Sequence, residues 1–308
     1  MKKNKRSILI VGYGQDGKIL HEKSLKKGIE VFIIGNKNTL KSHKAKISTI
    51  NIANKYAVFN YLKYKNNLDI YFFATHNIST TQKENKVIFK KNIQSNVLGL
   101  GNFLEFMSIS KKKGLKLFYA CSSHIFENSK KYPQNENSLK FFKTNYALTK
   151  LLGLKLCEYY RYEREVYCSV GILYTHVSKY TKQNFLIKEL AKKILNAKKN
   201  GSKFINVYNK NSKIDIMTAK EAVVAMEKVM SLKHPDTFII SSGKLTSLKD
   251  IFLSILKFYK IKRKIFLKSS IKKKNKNFYL FGDNKKLQSK IKWKPKINLK
   301  DLINEVLK

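Results

Sequence analysis

Arginine is almost missing from this chain. Four of its 64 basic residues are arginine (Arg6, Arg161, Arg164 and Arg263) and the other sixty are lysine. Acidic residues are also few, 20 in all, so the formal net charge is +44. A charge of that size invites a nucleic-acid reading. The shortage of arginine argues against it, because nucleic-acid readers favour the bidentate guanidinium fork. The lysines are spread along the whole chain, as on a solvated surface, so no nucleic-acid partner is expected. The basic field can still draw in an anionic substrate. The three cysteines, Cys121, Cys157 and Cys168, show no CxxC spacing. That excludes a disulfide framework and a zinc site and fits a reducing cytoplasm. No stretch reaches the roughly 20 apolar residues that a membrane span needs. The basic start, Met1 to Arg6, followed by Ser7-Ile8-Leu9-Ile10-Val11, imitates a signal peptide, but the apolar part is short and runs into glycines with no small-residue cleavage site. It reads as a first buried strand, and the protein as cytoplasmic. His21, His43, His76 and His234 form no ligand-like grouping, so no metal is expected.

What is present is enough for one large or two interlocked domains: 308 residues, 43% of them hydrophobic. The first half alternates strand and helix. Short apolar runs at 8–11, 30–34, 46–50, 69–74, 115–120 and 166–172 read as strands. Helical patterns fill 15–27, 56–64, 86–113 and 142–164, with Gly28 and Gly114 as stop signals. Such alternation predicts an α/β fold, a Rossmann-type doubly wound parallel sheet with helices on both faces, over residues 1–175. After Thr175 the pattern loosens. Helices are expected at 185–197, 219–230, 248–259 and 299–307, with strands at 204–207 and 238–240. The 203–240 stretch is expected to return to the sheet, and 176–308 to form mainly a smaller substrate-binding region. Lys262 to Lys276 is a basic, partly alternating stretch, either an exposed strand or a loop.

Two motifs carry chemistry. Gly12-Tyr13-Gly14-Gln15-Asp16-Gly17 follows a strand and opens a helix, the context in which a glycine-rich turn binds a dinucleotide pyrophosphate. The glycines let the backbone come close, and the helix N-terminus offers free N–H groups and a positive dipole. The second strand runs into Gly35-Asn36-Lys37 with no acid for a ribose diol. Lys37 could pair with a 2′-phosphate, which favours NADP over NAD, or it could be one more of sixty surface lysines. The second motif is Tyr146-Ala147-Leu148-Thr149-Lys150, with Ser122 upstream. A Tyr and a Lys four apart share one helix face. A cation beside a phenol favours the phenolate, so Tyr146 is expected to be acidified and able to exchange protons with a sugar or alcohol hydroxyl. Ser122, at the end of a strand, can hold the same oxygen.

These residues resemble the extended short-chain dehydrogenase/reductase superfamily, with the closer likeness to the GDP-mannose 4,6-dehydratases. The likeness is carried by the tetrad Gly14 to Gly17, by Asn96-Val97-Leu98-Gly99 with Asn102-Phe103-Leu104-Glu105, and by Phe118 to Ser123. Tyr132 to Glu136, Gly171 to His176, Lys213-Ile214-Asp215, Phe281-Gly282-Asp283 and Trp293-Lys294-Pro295 extend it over nearly the whole chain. The resemblance implies a nucleotide-sugar substrate, GDP-mannose first, and a homodimer or homotetramer. Tyr146 would take the proton of the 4-hydroxyl, Lys150 would hold the nicotinamide ribose, and Ser122 would bond the 4-oxygen. The cofactor set extends to Asn51 and Ile52 after the third strand, to Ala74 at the end of the fourth, and to His176 near the nicotinamide, for which a packed core histidine is the competing reading. The chain departs from the family at three places. His124 stands where the family carries the acid/base Glu, Ile214 where an Arg is expected, and Val177 to Tyr180 replaces a Glu-Ser-Pro-Arg segment. His124 could do the proton transfer. Glu127 and Glu136 could stand in for the carboxylate, though a solvated loop is the commoner fate. Lys179, Lys182 and Lys188 could replace the arginines as point charges. The resulting expectation is a dehydratase. A 4-ketoreductase or 4-epimerase that skips elimination, or a non-catalytic NADP sensor, are the alternatives.

Overall fold

The first apolar run forms β1 (Ser7–Val11), with Leu9, Ile10 and Val11 fully buried. An unbroken run of this kind suits a strand covered on both faces. The computed structural model of the protein describes residues 6–35, 46–76, 86–110, 114–127, 129, 131–270 and 279–308. After β1 come α1 (Gln15–Lys26), β2 (Val31–Ile34), β3 (Lys46–Ser48), α2 (Lys55–Leu62), β4 (Leu68–Phe72), α3 (Lys86–Ile93), α4 (Leu100–Ser110), β5 (Lys116–Ser122) and α5 (Asn145–Glu163). The second half contributes β6 (Cys168–Leu173), β7 (Thr175–Val177), α6 (Leu186–Lys199), β8 (Phe204–Val207), β9 (Lys213–Thr218), α7 (Ala219–Met230), β10 (Thr237–Ile240), β11 (Leu245–Ser247), α8 (Leu248–Phe258), β12 (Phe266–Ser269), α9 (Lys285–Ile291) and α10 (Leu299–Leu307).

Seven strands pair in parallel in the order β10-β6-β5-β4-β1-β2-β3. This is a Rossmann-type doubly wound sheet. Val11 stands in register with Ile34 on one side and Phe72 on the other. Because the winding reverses between β1 and β4, their carboxyl ends frame a crevice, the place where such sheets bind ligands. Strand alternation divides the core between the two faces. Leu9 and Val11 pack with Phe72, Phe103, Tyr119 and Leu154 under α4 and α5. Ile8 and Ile10 pack with Ile33, Phe118, Val223 and Met226 under α1 and α7. A third apolar core, with Val177, Ile187, Ile205, Ile251, Phe252 and Leu302, lies among α6, α8 and α10.

Two expectations change and one open alternative resolves. The helix expected over 86–113 is two helices joined by a π-helical turn, Gln94–Gly99, with 111–113 outside the described residues. Of the 203–240 stretch, α7 and β10 join the large sheet, but β8 pairs in parallel with β12, and β9 lies between β11 and β7 in a three-stranded sheet. The basic stretch from Lys262 is therefore partly strand, at Phe266–Ser269, its last residues lying outside the described ones. The short strands β7 and β11 escape sequence reading because three residues carry too little periodicity to register.

Candidate active site

The turn after β1 is built for close approach. Gly12 has φ +98°, and a Cβ there would lie 2.6 Å from the Ala74 amide nitrogen. A Cβ on Gly17 would lie 2.7 Å from the Gly12 carbonyl oxygen. Those two glycines close the turn and seat α1 against β1. Gly14 differs: a Cβ would meet no heavy atom within 4 Å. Gly14 is also the N-cap of α1 and, lacking a side chain, leaves the first-turn N–H groups uncapped. Open space before uncapped N–H groups, at the switch point of the sheet, fits a dinucleotide pyrophosphate. Ala74 faces this turn directly. Asn51 is exposed and accepts the Ala53 amide, and Ile52 packs on Gly99 at the π-helical turn. Asn36 and Lys37 lie outside the described residues.

Gln15 and Asp16, expected at the cofactor, turn their side chains elsewhere. Gln15 Nε2 donates to the His176 carbonyl (3.1 Å), and its Oε1 accepts from Ser178 Oγ (2.9 Å) and Thr181 Oγ1 (2.6 Å). Asp16 Oδ2 lies 3.0 Å from His176 Nε2, and His176 Nδ1 lies 2.7 Å from the Tyr174 carbonyl oxygen. A carbonyl can only accept, so Nδ1 carries a proton, and a carboxylate at Nε2 favours a second. Burial works to lower the His176 pKa, but the charge and hydrogen bond of Asp16, with the Tyr174 carbonyl, outweigh it and raise the pKa. His176 is thus a sheltered ion-pair member, held between Asp16 and the Tyr174 carbonyl. With both ring nitrogens engaged, only its carbon face is left for a nicotinamide. Gln15 and Asp16 can serve a cofactor through their backbone N–H groups.

The second half of the site sits at the end of β5. Thr144 caps α5 by accepting the Ala147 amide (3.1 Å), which fixes Tyr146 in the first turn and Lys150 one turn on. Ser122 Oγ accepts the His124 amide (3.3 Å) and so starts a 3₁₀ turn, Ser123–Phe126. Lys150 is 2% exposed, and its Nζ donates to the Ala120 carbonyl (2.7 Å) and lies 5.9 Å from the Tyr146 ring centroid. Asp16 is near enough for its charge to act on both Tyr146 and Lys150, which ties this cluster to the glycine turn.

The electrostatics correct one expectation. Burial raises the Tyr146 pKa well above its ordinary value, and a hydrogen bond from Ser122 opposes this only in part. Desolvation of the phenolate outweighs the Ser122 bond, and the Lys150 Nζ is directed at the Ala120 carbonyl and not at the phenol oxygen. Burial also lowers the Lys150 pKa from 10.5 to about 8, with Cys121 and Asp16 pulling weakly upward. Between those two values the unfolded chain binds the proton and the folded protein does not. Stability therefore rises with pH across that window, and the ammonium costs stability below it. Lys150→Met is accordingly expected to stabilise the fold at pH 7, on the order of 1–3 kcal/mol, with the gain fading as pH climbs from about 8 towards 10.5. Urea denaturation at pH 7 and at high pH checks both the sign and the fading.

His124 stands edge-on to the Tyr146 ring, centroids 5.9 Å apart at 82°. Glu127 is not a solvated loop residue: its Oε1 lies 2.6 Å from His124 Nδ1 and its Oε2 accepts the Lys143 amide (3.1 Å). Glu136 is far from this chemistry in role, since its Oε1 accepts the Ile239 amide (2.8 Å) on β10. Among the would-be arginine substitutes, Lys188 Nζ is bonded to the Lys179 carbonyl (2.7 Å). Cys121 is buried, with a thiol pKa pushed up to about 11 by desolvation.

Sequence reading missed a polar network behind Lys150. Asn96, fully buried in the π-helical turn, donates through Nδ2 to Thr149 Oγ1 and Thr75 Oγ1, both 3.2 Å away. Its Oδ1 and the Tyr119 hydroxyl, over whose ring Lys150 lies at 5.0 Å, have no hydrogen-bond partner among the described residues. π-Bulges often mark functional sites, and the Asn-Val-Leu-Gly stretch at 96–99 is the sequence signal that could have drawn attention here. Two further buried residues, Gln134 and Asp215, tie the loop after β5, β9 and the segment at Tyr279–Gly282 together through hydrogen bonds. Among the described residues no three His, Cys, Asp or Glu side chains gather as a metal site, and no helix is long and apolar enough to cross a membrane.

Comparison with known proteins agrees with this fold. A family profile described as GDP-mannose 4,6 dehydratase matches residues 9–306. The GDP-mannose 4,6 dehydratase of Drosophila melanogaster is 23% identical over 218 residues, 64% of this chain and 55% of the relative, so the chain spans about half the length of that relative. The Dictyostelium discoideum protein of the same description is 25% identical over 272 residues, 81% of this chain and 75% of that one. Among solved structures, a dTDP-glucose 4,6-dehydratase from Bacillus anthracis in complex with NAD superposes with TM-score 0.78 at 14% identity, covering 98% of this chain and 95% of the other. A UDP-glucose 4-epimerase from Thermotoga maritima with UDP-glucose gives 0.80 at 15%, covering 98% and 97%. At such identities these structures establish the fold.

Proposed function

The chain belongs to the GDP-mannose 4,6 dehydratase family, and from that premise we propose that it is a nucleotide-sugar 4,6-dehydratase acting on GDP-mannose with NADP. One observation carries the reading: Tyr146, Ser122 and His124 converge, with Lys150 behind them, beside the open glycine turn. When bound, the nicotinamide supplies a hydride acceptor and donor. Tyr146 would act as the phenolate, its high pKa in the unliganded site brought down by the positive charge of a bound nicotinamide, and take the proton of the sugar 4-hydroxyl while Ser122 holds the 4-oxygen. Lys150, directed by Ala120 and backed by the Asn96 network, holds the ribose and the electrostatics around the phenol. The ketone at C4 makes the C5 proton removable. His124 takes that proton and protonates the departing C6 hydroxyl. Hydride returns to C6 and a proton returns to C5, made good by the one Tyr146 took from the 4-hydroxyl, so the sugar is oxidised at C4 and reduced at C6 and the overall reaction gives a 4-keto-6-deoxy sugar and water with no net change in redox state or protons.

In this reading residues 1–175, with α7 and β10, carry the cofactor, and the rest mainly carries the sugar nucleotide. NADP is preferred on the absence of an acid after β2 and the presence of Lys37. The exposed Leu152 and Tyr159, seven residues apart on one face of α5, support a homodimer or a larger homo-oligomer that covers them.

Incubating the purified protein with GDP-mannose and NADP⁺ is expected to yield a 4-keto-6-deoxy product, read by mass spectrometry and NMR. His124→Ala is expected to slow elimination by about 10²- to 10⁴-fold while hydride exchange at C4 continues. Turnover of a keto-sugar only with added NADPH would favour a reductase, and cofactor binding without turnover of any nucleotide sugar would favour a sensor. Unchanged dehydration in the His124 variant would move the acid/base role to another residue.

A further inference from the structure

Resting on the dehydratase reading, we propose that Glu127 is a positioning residue that fixes the His124 ring in one tautomer, so that Nε2 is the atom that moves protons on the sugar. The 3₁₀ turn Ser123–Phe126 makes this pair. Side chains three apart eclipse in such a turn, and Ser122 sets its start by accepting the His124 amide at 3.3 Å. Glu127 then brings its Oε1 within 2.6 Å of His124 Nδ1. A carboxylate can only accept, so Nδ1 must hold the proton.

The carboxylate is itself anchored. Its Oε2 accepts the Lys143 amide at 3.1 Å, two residues before α5. The Glu127 side chain is 14% exposed, against 37% for His124, so the acid is the sheltered member and the imidazole the accessible one. His124 Nε2 meets no hydrogen-bond partner among the described residues, and its ring stands edge-on to Tyr146 at 5.9 Å. Both oxygens of Glu127 are therefore acceptors for two different N–H groups, and the one ring nitrogen left over is the one available to a substrate. The arrangement follows the logic by which a buried carboxylate orients a catalytic imidazole and balances its charge as it takes up a proton. Here it also links the acid/base residue, through Lys143, to the helix that carries Tyr146, so the two proton-handling groups keep a common frame.

Glu127→Gln tests this at one atom. Glutamine has a single acceptor oxygen where two are required. If that oxygen keeps the Lys143 amide, an NH₂ group faces Nδ1 and selects the opposite tautomer, with the proton on Nε2. The measurement is ¹⁵N–¹H correlation of histidine-labelled full-length protein, with the His124 signals assigned by their loss in His124→Ala. Wild type is expected to show its neutral His124 ring protonated at Nδ1, and Glu127→Gln to shift it towards Nε2–H. In parallel, elimination should fall about a hundredfold or more, with hydride exchange at C4 and KM for the sugar nucleotide nearly unchanged. A wild-type ring protonated at Nε2, or a tautomer indifferent to Glu127→Gln, overturns the proposal whatever the enzyme does with GDP-mannose. A tautomer that shifts while elimination is unaffected overturns the positioning role. If the wild-type tautomer is Nδ1–H but no sugar nucleotide is dehydrated, the pairing stands and the functional reading is what fails. The wild-type spectrum decides the pairing even if the variant does not fold.

Discussion

Tyr146→Phe is expected to lower turnover by about 10²- to 10⁴-fold while leaving cofactor affinity and thermal stability close to wild type. The substitution removes one oxygen. The ring that stands against His124 remains, and so does the cap that places it, because Thr144 bonds the Ala147 amide and not the tyrosine side chain. The lost hydroxyl is the group that Ser122 hydrogen-bonds, and in the proposed reaction it is the group that takes up the substrate proton. Stopped-flow detection of reduced nicotinamide, with cofactor binding followed by fluorescence, separates the two effects. A Tyr146→Phe variant that retained hydride transfer would place the proton acceptor elsewhere and remove the chemical reading of the site.

The glycine turn gives the second large effect, and it splits between neighbouring residues. Gly12→Ala forces a Cβ to 2.6 Å from the Ala74 amide at φ +98°. Overpacking against backbone and a left-handed conformation together cost about 2–5 kcal/mol, a large share of the roughly 5–15 kcal/mol that holds a domain folded. Gly14→Ala meets no atom within 4 Å and should leave stability within about 0.5 kcal/mol of wild type. Its methyl group would nonetheless occupy the space assigned to the pyrophosphate, so cofactor affinity should fall by at least about tenfold, or roughly 1.4 kcal/mol. Denaturation curves and a cofactor titration on the two variants check this. Equal cofactor affinity for wild type and the Gly14 variant would mean that the open space has another use.

The strands and helices around the sheet were legible because each buries a repeating pattern. The helix read over 219–230 coincides with α7, and the run at 8–11 lies within β1. What stayed hidden depends on geometry that periodicity does not encode. A π-helical turn shifts the phase of a helix, but six residues, Gln94–Gly99, are too few for that shift to stand out against the apolar spacing of 86–110. The partners of Gln15 and Asp16 lie some 160 residues away, and no local rule turns those side chains towards them. Glu127 read as a loop acid because its burial depends on the Lys143 amide, again from a later segment. The Tyr–Lys spacing correctly placed two side chains on one face, but spacing says nothing of desolvation, which raises the Tyr146 pKa.

The bonds from Gln15 and Asp16 to His176, Ser178 and Thr181 have a genetic consequence. Under the proposed assignment, lesions in the loop that carries Ser178 and Thr181 would surface first as dinucleotide phenotypes, because that loop is the brace on which the start of α1 rests. Ser178→Ala or Thr181→Val alleles would then be rescued by excess cofactor and not by excess substrate.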